Sequence, residues 1–400
     1  MKSENKLKIL FITPSVPFPP HTGGQIRSLY LLRYFATKGS VDLVTLGERE
    51  QLDPYEQELK KYCRNIYLAD VQNSSPKGSG LRPWLLDDFV HPEIRAQIER
   101  SSPEQYDVIV CRFSIMAYFF LMDPRLKLLL NKVVVDVDDI STVVQERKIK
   151  SMSFGYKKLR YMFDLFLLEQ FYRKLKQVRA CFVVSDKDRD YVNRNQISRK
   201  TFLVPNVYEV NGRALGSLEE SKNPEILFCG MMSYPPNQEA VYYFVEEILP
   251  KIREKMPNVR FTIVGKNMPD QMKQLSSKPG ITVAGYVPSM EPYYQKAALV
   301  VVPLQNGGGT RIKILEAFSY ERPVVSTTVG AEGLDVKHGE SIVLADHADE
   351  FANECVDLLN QPERRKRIAS NAYRLMKEKY DISVFNQTMD EVFEYLQKGK

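Results

Sequence analysis

The sequence has few of the residues that hold metals or build disulfide frameworks. Its 4 histidines are far apart and lack the spacing of metal ligands. Its 5 cysteines include no CxxC pair, and Cys111, Cys181 and Cys229 lie in apolar runs typical of buried strands. We therefore expect a protein of a reducing, cytoplasmic compartment without a disulfide framework. We predict no cofactor.

Long apolar runs and a dominant charge are also missing. No stretch of about 18 apolar residues is present, which argues against a membrane-spanning helix. The apolar stretch 9–18 is short and contains Pro14 and Pro17, so it indicates a first strand rather than a signal peptide. The net charge of +6 over 400 residues is modest, and we expect no nucleic-acid binding. No GxGxxG follows a predicted strand, which argues against a nicotinamide-dependent oxidoreductase.

What the sequence does contain is two successive series of alternating strand and helix patterns, typical of α/β proteins with parallel sheets. A polar segment rich in glycine, serine and charge separates the two series and is typical of a linker. The C-terminal segment places its apolar residues on one face of a predicted helix. We therefore predict an N-terminal domain over 1–207, a linker over 208–222, a second domain over 223–381 and a C-terminal helix over 382–400 that packs on the first domain.

The most informative stretch is Gln305 to Val325, QNGGGTRIKILEAFSYERPVV. A β-branched run stopped by Pro303 precedes it, and a second strand pattern closes it. The pattern predicts a strand, a glycine loop, a helix and a strand of one parallel sheet. Glycine has no side chain, so a ligand can approach the backbone of the loop closely at Gly307, Gly308 and Gly309.

The helix after these glycines is predicted to start at Thr310 as its N-cap. Its free N–H groups and positive pole favour an anion, and Arg311 lies beside them. Glu316 follows inside an apolar stripe. The residues alone fit two interpretations: a diphosphate cradle with a carboxylate for sugar hydroxyls, or a glycine turn followed by a solvated acid.

Two motifs follow strands of the first series. Gly23 and Gly24 come after the first strand and before a helix, where open α/β sheets bind ligands. A later strand, NKVVVDVDDI, ends in the acids Asp136, Asp138 and Asp139. These acids could hold a divalent cation, bind an acceptor hydroxyl, or form a polar loop in which Asp139 or Ser141 caps a helix.

Residues 145–179 combine a helical period with aromatic residues on one side and basic residues on the other. One interpretation is a long helix that packs its apolar side on the domain core and leaves its basic side in solvent. The other is contact with an anionic membrane surface. The two are compatible if the rim of the helix touches lipid.

Taken in order, the stretches KILFITPSVPFPPHTGGQIRS, VVSDKDRDYV, VPNV, EILFCG, FTIVG, ITVAGYV and EAFSYERPVV resemble glycosyltransferase family 4 over nearly the whole chain. The variant GMMSYPPNQEA with GGGTRIKILEA resembles enzymes that build bacterial cell-surface polysaccharides. The resemblance implies a GT-B fold, with two Rossmann-like domains whose parallel sheets face each other across a cleft. It implies retaining, metal-independent sugar transfer from a nucleotide-diphosphate donor to a glycan or lipid-linked acceptor.

In the second domain, the resemblance implies a donor site. Glu316 would bind the nucleotide ribose, and Arg311 and Lys313 would replace a basic clamp that the sequence lacks after the domain's first strand. The other implied donor residues are the backbone of Gly307, Gly308, Gly309 and Thr310, and Tyr286 and Val287 near the base. Gly308 stands where the family has the first of two glutamates, so backbone N–H groups would serve there instead.

In the first domain, the resemblance implies that Gly23 and Gly24 approach the donor phosphate. Asp138 takes the position of the family's active-site histidine, and Asp138 and Arg311 are the predicted catalytic residues. Competing functions are a sugar-nucleotide 2-epimerase of GT-B fold and a non-catalytic binding protein for glycans or nucleotide sugars. A lipid-linked acceptor would also fit a peripheral contact of residues 145–179 with the inner membrane face.

Overall fold

The computed structural model describes residues 6–70, 91–209, 223–307 and 311–398. The chain forms two compact units: unit 1 comprises Met1–Pro205 and Asn386–Lys400, and unit 2 comprises Asn206–Phe385. Most of the predicted linker lies outside the described residues. No helix in the part of the chain that the structure describes is long and apolar enough to cross a membrane.

Unit 1 is built on a parallel sheet. Its described strands are β1 (Leu7–Thr13), β2 (Gly39–Gly47), β3 (Asn65–Asp70), β4 (Val108–Arg112), β5 (Val133–Val137), β6 (Ala180–Val183) and β7 (Thr201–Leu203). Their spatial order is β3-β2-β1-β4-β5-β6-β7. The register sets Ile9 of β1 opposite Val41 on one side and Val108 on the other. The central strands are apolar on both faces because helices cover both.

Helices cover this sheet. In the described part of unit 1 they are α1 (Gly23–Lys38), α2 (Arg49–Leu52), α3 (Glu56–Leu59), α4 (Pro92–Arg100), α5 (Tyr118–Met122), α6 (Ser141–Ser151), α7 (Tyr156–Lys174) and α8 (Asp186–Arg194). Short 3-10 turns lie at Asp53–Tyr55, Pro103–Gln105, Ser114–Ala117, Leu126–Lys132 and Leu175–Gln177. Together with the strands they bury an apolar core that includes Leu10, Ile109 and Val135.

Unit 2 repeats the same architecture. Its described strands are β8 (Glu225–Cys229), β9 (Arg260–Val264), β10 (Ile281–Gly285), β11 (Ala297–Val302), β12 (Val324–Ser326) and β13 (Val343–Leu344). All pair in parallel, in the order β10-β9-β8-β11-β12-β13. Its described helices are α9 (Pro235–Tyr243), α10 (Leu249–Lys255), α11 (Asp270–Lys273), α12 (Glu291–Lys296), α13 (Ile312–Ser319), α14 (Ala348–Asn360) and α15 (Pro362–Lys379). A short π-helical segment at Phe244–Ile248 joins α9 to α10, and a 3-10 turn covers Gln274–Ser277.

The two sheets confirm the predicted fold class of two parallel α/β halves. In each sheet the strand order reverses direction once, between β1 and β4 in unit 1 and between β8 and β11 in unit 2. The connections on either side of such a point run to opposite faces, so a crevice opens at the carboxyl ends of the two strands. This is where each unit can bind a ligand.

The last helix, α16 (Ile382–Gln397), buries the apolar face that the sequence predicted, including Phe385, Met389 and Leu396. Its residues 386–397 pack within unit 1. The Tyr34 hydroxyl donates to Asp390 at 2.7 Å, and Arg179 Nη2 donates to the Leu396 carbonyl at 2.7 Å. The helix is thus part of the core of unit 1 along most of its length.

The segment 145–179 is not one long helix. Helix α6 ends at Ser151 and α7 starts at Tyr156, with Met152 and Gly155 in extended conformations between them. Serine and glycine are poor helix formers, and the sequence SMSFG places three of them together. The chain therefore turns here, and α7 packs back along α6.

Candidate functional site

In unit 1, Gly23 and Gly24 form the first turn of α1 at the carboxyl end of β1. The Thr22 hydroxyl accepts from the Gln25 backbone N–H at 3.2 Å, and the Gln25 side chain accepts from the Thr22 N–H at 3.1 Å. This reciprocal capping box fixes where the helix begins. A Cβ on Gly24 would lie 3.1 Å from the Phe113 ring, so a larger residue requires the ring to shift. The predicted glycines therefore lie against the end of β4.

Arg112, the last residue of β4, connects these glycines to Asp138. Its side chain is fully buried. Its Nη2 donates to the Gly24 carbonyl and to the Asp138 carboxylate, each at 3.2 Å. Its Nε donates to the Ser28 hydroxyl at 2.9 Å. The structure thus brings together, in one crevice of unit 1, two motifs that lie far apart in the sequence.

A buried ion cluster holds Arg112 in place. The fully buried Asp136 carboxylate accepts from Arg112 Nη1, and it accepts from Arg27 Nε and Nη2 at 2.9 and 2.6 Å. Arg27 also donates to the Pro205 carbonyl at 3.1 Å. Burial alone would raise the pKa of Asp136, but the charges and hydrogen bonds of the two arginines lower it below its ordinary value. Asp136 is therefore ionised at neutral pH, with both oxygens engaged.

Two alternatives for the acidic motif, a cation site and a helix cap, disagree with the structure. Asp136 has no oxygen left for a cation, and no group of three or more metal-ligating side chains occurs in residues 6–70, 91–209, 223–307 and 311–398. The predicted helix cap is wrong: Ile140 occupies the cap position of α6, without a side-chain hydrogen bond. Asp138 is not fully buried, since 12% of its side chain is exposed.

Phe113, which follows Arg112 at the same crevice, has an unusual backbone conformation. Its φ is +62°, which a bulky side chain rarely adopts. The Arg112 guanidinium lies over the Phe113 ring at 4.5 Å. Strained residues of this kind persist where surrounding contacts over-determine them, and they cluster at functional sites. The strain therefore agrees with a functional crevice at the ends of β1 and β4.

In unit 2, the glycine loop leads from β11 into α13. The predicted N-cap is wrong, because Arg311 occupies that position and the helix begins at Ile312. Arg311 is 7% exposed and folds back on the loop. A Cβ on Gly307, where φ is +112°, would lie 2.8 Å from Arg311 Nη2 and 2.9 Å from the Tyr234 hydroxyl. The predicted Gly308, Gly309 and Thr310 lie outside the described residues.

Lys313 reaches from α13 to the carboxyl end of β8. Its Nζ donates to the Asn237 side chain at 2.7 Å and lies 4.4 Å from the centre of the Phe228 ring. A Cβ on Gly230 would be 2.8 Å from the same Nζ. Burial lowers the pKa of Lys313 to about 8, and the nearby Arg311 charge lowers it too. A cation thus stands at the strand end where the local sequence supplies none.

Glu316 lies one turn further along α13 and is not a solvated acid. Its Oε1 accepts from the Tyr208 hydroxyl at 2.9 Å. Tyr294 stacks on Tyr320 at 4.5 Å and contacts the Cys229 sulfur at 3.2 Å. Burial raises the pKa of Glu316, while hydrogen bonding, including that from Tyr208, and the Lys313 charge oppose this. The carboxylate is therefore positioned by the Tyr208 hydroxyl rather than left in solvent.

Tyr286 and Val287 follow β10. Tyr286 is 62% exposed, with Lys266 Nζ 5.7 Å from the centre of its ring. Val287 packs on the core of unit 2. An exposed aromatic ring beside a strand end can stack on a planar ligand.

The sequence did not predict several residues of these crevices: Arg27, Arg112, Tyr208, Tyr234 and Asn237. One signal was present. Arg112 directly follows the apolar run VIVC in a strand predicted to be buried. A buried guanidinium needs a carboxylate partner, so Arg112 implied an acid on a neighbouring strand.

The Gly307 geometry leads to a first prediction. Alanine at Gly307 must displace the Arg311 guanidinium or the Tyr234 hydroxyl, so we expect Gly307→Ala to weaken anion binding at this loop by roughly tenfold. Gly339→Ala is a matched control, because Gly339 also has a positive φ, of +74°, but nothing lies within 4 Å of its added Cβ. Equal calorimetric affinity of both variants for a nucleoside diphosphate would contradict the arrangement.

The comparisons with known proteins fit this geometry. Residues 223–361 match the family described as "Glycosyl transferases group 1". The chain is 24% identical over 397 residues to an "Uncharacterized 44.6 kDa protein in cps region" of Klebsiella pneumoniae, covering 96% of this chain and 99% of that one. This relative has no assigned activity in its name, but it spans both units.

Solved structures share the fold over the whole chain. Sucrose-phosphate synthase of Thermosynechococcus elongatus superimposes with a TM-score of 0.73 at 17% identity, covering 99% of this chain and 100% of that one. Anabaena Alr3699/HepE in complex with UDP and glucose superimposes with a TM-score of 0.66 at 16% identity, covering 97% and 99%. The chain therefore has the GT-B fold, and its residues 223–361 match the glycosyl transferases group 1 family.

Proposed function

We propose that the protein is a glycosyltransferase that moves a sugar from a nucleoside-diphosphate donor to a glycan or lipid-linked acceptor, with retention and without a metal. The observation that carries this is the cluster at the start of α13. Arg311 lies against the glycine loop after β11, Lys313 reaches the end of β8, and Glu316 follows one turn later. Two cations beside a helix N-terminus suit a diphosphate, and a carboxylate one turn away suits ribose hydroxyls. The match of residues 223–361 to glycosyl transferases supports the same assignment.

In this proposal the leaving group, rather than a general base, needs the most help. As the bond between the sugar and the diphosphate breaks, negative charge grows on the diphosphate oxygens. Arg311 and Lys313 stabilise that charge, and preorganised groups of this kind contribute roughly 3–4 kcal/mol each. The Asp138 carboxylate of unit 1, oriented by Arg112, positions an acceptor or donor hydroxyl.

A thermal-shift screen against UDP- and GDP-sugars, followed by transfer to a crude membrane acceptor, tests the proposal. UDP-sugars are the first choice because Alr3699/HepE is a structural neighbour with UDP bound. The anomeric configuration of the product, read by NMR, tests retention. Epimerised donor formed without an acceptor would instead indicate the 2-epimerase. Binding without transfer, hydrolysis or epimerisation would indicate a binding protein.

Lys313 should make the affinity for UDP depend on pH. Its pKa is lowered to about 8 by burial, so it loses its charge as pH rises through that value. We expect UDP affinity, measured by calorimetry, to fall above pH 8 in the wild type and to lose this dependence in Lys313→Met. Glu316→Gln is the control: it should bind UDP more weakly at every pH, by about 1.5–3 kcal/mol, yet keep the alkaline fall. An unchanged alkaline fall in Lys313→Met would show that Lys313 does not contact the diphosphate.

A further inference from the structure

The first half of helix α7 presents large apolar side chains to solvent. We call this set, with the residue Phe154 that precedes the helix, the aromatic face: Phe154, Tyr156, Leu159, Met162, Phe163 and Phe166. Phe154 and Tyr156 are 83% and 81% exposed, and Phe166 is 54% exposed. The expectation that the apolar side of this segment packs on the domain core is therefore wrong for this half. Contiguous exposed apolar surface of this kind marks an interaction site.

The aromatic face is one stripe rather than scattered residues. Leu159, Met162, Phe163 and Phe166 stand at the positions i, i+3, i+4 and i+7 of a helix, so they share one side. Tyr156 extends the same stripe by one turn at the start of α7, and Phe154 stands in the turn before it. A flat surface can therefore contact the helical members of the stripe at once.

Basic residues surround this face. Between residues 147 and 163 the sequence holds Arg147, Lys148, Lys150, Lys157, Lys158 and Arg160, and it holds no acid. The acid that follows, Asp164, is buried and paired with Arg160 at 3.1 Å. The sequence around the apolar stripe is therefore predominantly basic, with the acids Glu146 and Glu169 at its two ends.

We propose that this face docks unit 1 on an anionic lipid surface. Aromatic and aliphatic side chains enter the boundary between headgroups and acyl chains, while lysines at the rim contact anionic headgroups. A second copy of the chain is a poorer occupant, because a symmetric contact brings the same positive rim of both copies together. Charge complementarity thus selects lipid.

The other half of α7 fixes the face to the unit. Leu168, Phe171 and Tyr172 are buried in its core. The Tyr172 hydroxyl accepts from the Ser141 backbone N–H at 3.1 Å and donates to the Asp139 carbonyl at 3.3 Å. The helix that carries the aromatic face therefore also contacts the loop next to Asp138. If the proposed function holds, docking keeps the acceptor crevice of unit 1 at the lipid surface, which fits a lipid-linked acceptor.

Vesicle flotation tests the docking directly. Wild-type protein should float with vesicles of phosphatidylglycerol and phosphatidylethanolamine at low salt, and should not float with phosphatidylcholine alone. Phe154→Ser combined with Phe166→Ser should reduce binding on the order of tenfold or more. Leu128→Ser is the matched control, because Leu128 is 81% exposed in the same unit but lies outside the face; it should bind like the wild type.

A second pair of matched variants tests the contribution of the basic residues. Lys157→Glu with Lys158→Glu should abolish flotation, whereas Lys366→Glu with Arg367→Glu makes the same charge change on α15 of unit 2 and should preserve it. Calorimetry with UDP on the same preparations separates this proposal from the proposed function, because donor binding does not depend on the face. Equal flotation of the serine variant and the wild type would overturn the docking. A dimer that the serine variant dissociates, with no vesicle binding by either form, would also overturn it.

Discussion

Replacing Asp136 with alanine is expected to destabilise unit 1 by about 3–5 kcal/mol, because it leaves the charges of Arg27 and Arg112 buried without their carboxylate. Both arginines are at most 2% exposed, so solvent cannot compensate. Urea unfolding followed by circular dichroism measures the loss. Amide exchange in β5 of unit 1, compared with β8 of unit 2, shows which of the two units unfolds.

An exposed ion pair in the same unit provides the control. Arg49 and Asp53 lie 3.7 Å apart with 62% and 57% of their side chains exposed. Asp53→Ala should therefore cost less than about 1 kcal/mol. If Asp136→Ala costs no more than Asp53→Ala, the buried cluster does not hold unit 1 together as inferred.

The same carboxylate contributes to acid sensitivity. Although burial alone would raise the pKa of Asp136, the two arginines lower it below its value in the unfolded chain. A group with a lowered pKa in the folded state stabilises the protein above its unfolded pKa, about 3.9, and loses this contribution as pH falls through the folded value. The stability difference between the wild type and Asp136→Ala should therefore shrink only below about pH 4.

The strands at the centre of each sheet could be predicted because burial on both faces leaves a local signal. Val133–Val137 and Ala297–Val302 are uninterrupted apolar runs, apart from Asp136. Edge strands leave a weaker signal. The strand Asn65–Asp70 is mostly half-buried and was not predicted, and the two-residue strand Val343–Leu344 was too short to show a pattern.

Crevice residues could be predicted where they directly follow a strand in the sequence. They could not be predicted where their role depends on a contact with a residue far away in the sequence. Gly24 and Asp138 each follow a strand, so each was predicted singly. That Arg112 joins them depends on β1, β4 and β5 lying side by side, which no local pattern contains. The same holds for Lys313. The sequence of α13 does not show where its side chain points, because that depends on Asn237 and the end of β8 beside it.

Replacing Arg311 with alanine is expected to lower turnover by about 10²–10³-fold, the usual effect of removing one preorganised donor from a site of developing negative charge. Arg311 is 7% exposed and its guanidinium lies against Gly307, so it cannot swing into solvent at little cost. UDP affinity should fall with it, because a guanidinium binds two phosphate oxygens at once. Affinity for uridine should not change, because uridine carries no phosphate.

Arg322, a second buried arginine beyond the C-terminal end of α13, provides a control. Its substitution removes buried packing in unit 2 without removing a cation from the proposed phosphate site. Arg322 is 2% exposed, and burial lowers its pKa to about 10. Arg322→Met should change the stability of unit 2 while UDP and uridine affinities keep their ratio. Arg311→Lys should recover part of the UDP affinity but less of the turnover, since an ammonium replaces the charge without the planar fork. If Arg311→Ala weakened UDP and uridine equally, Arg311 would be a packing residue and not part of a diphosphate site.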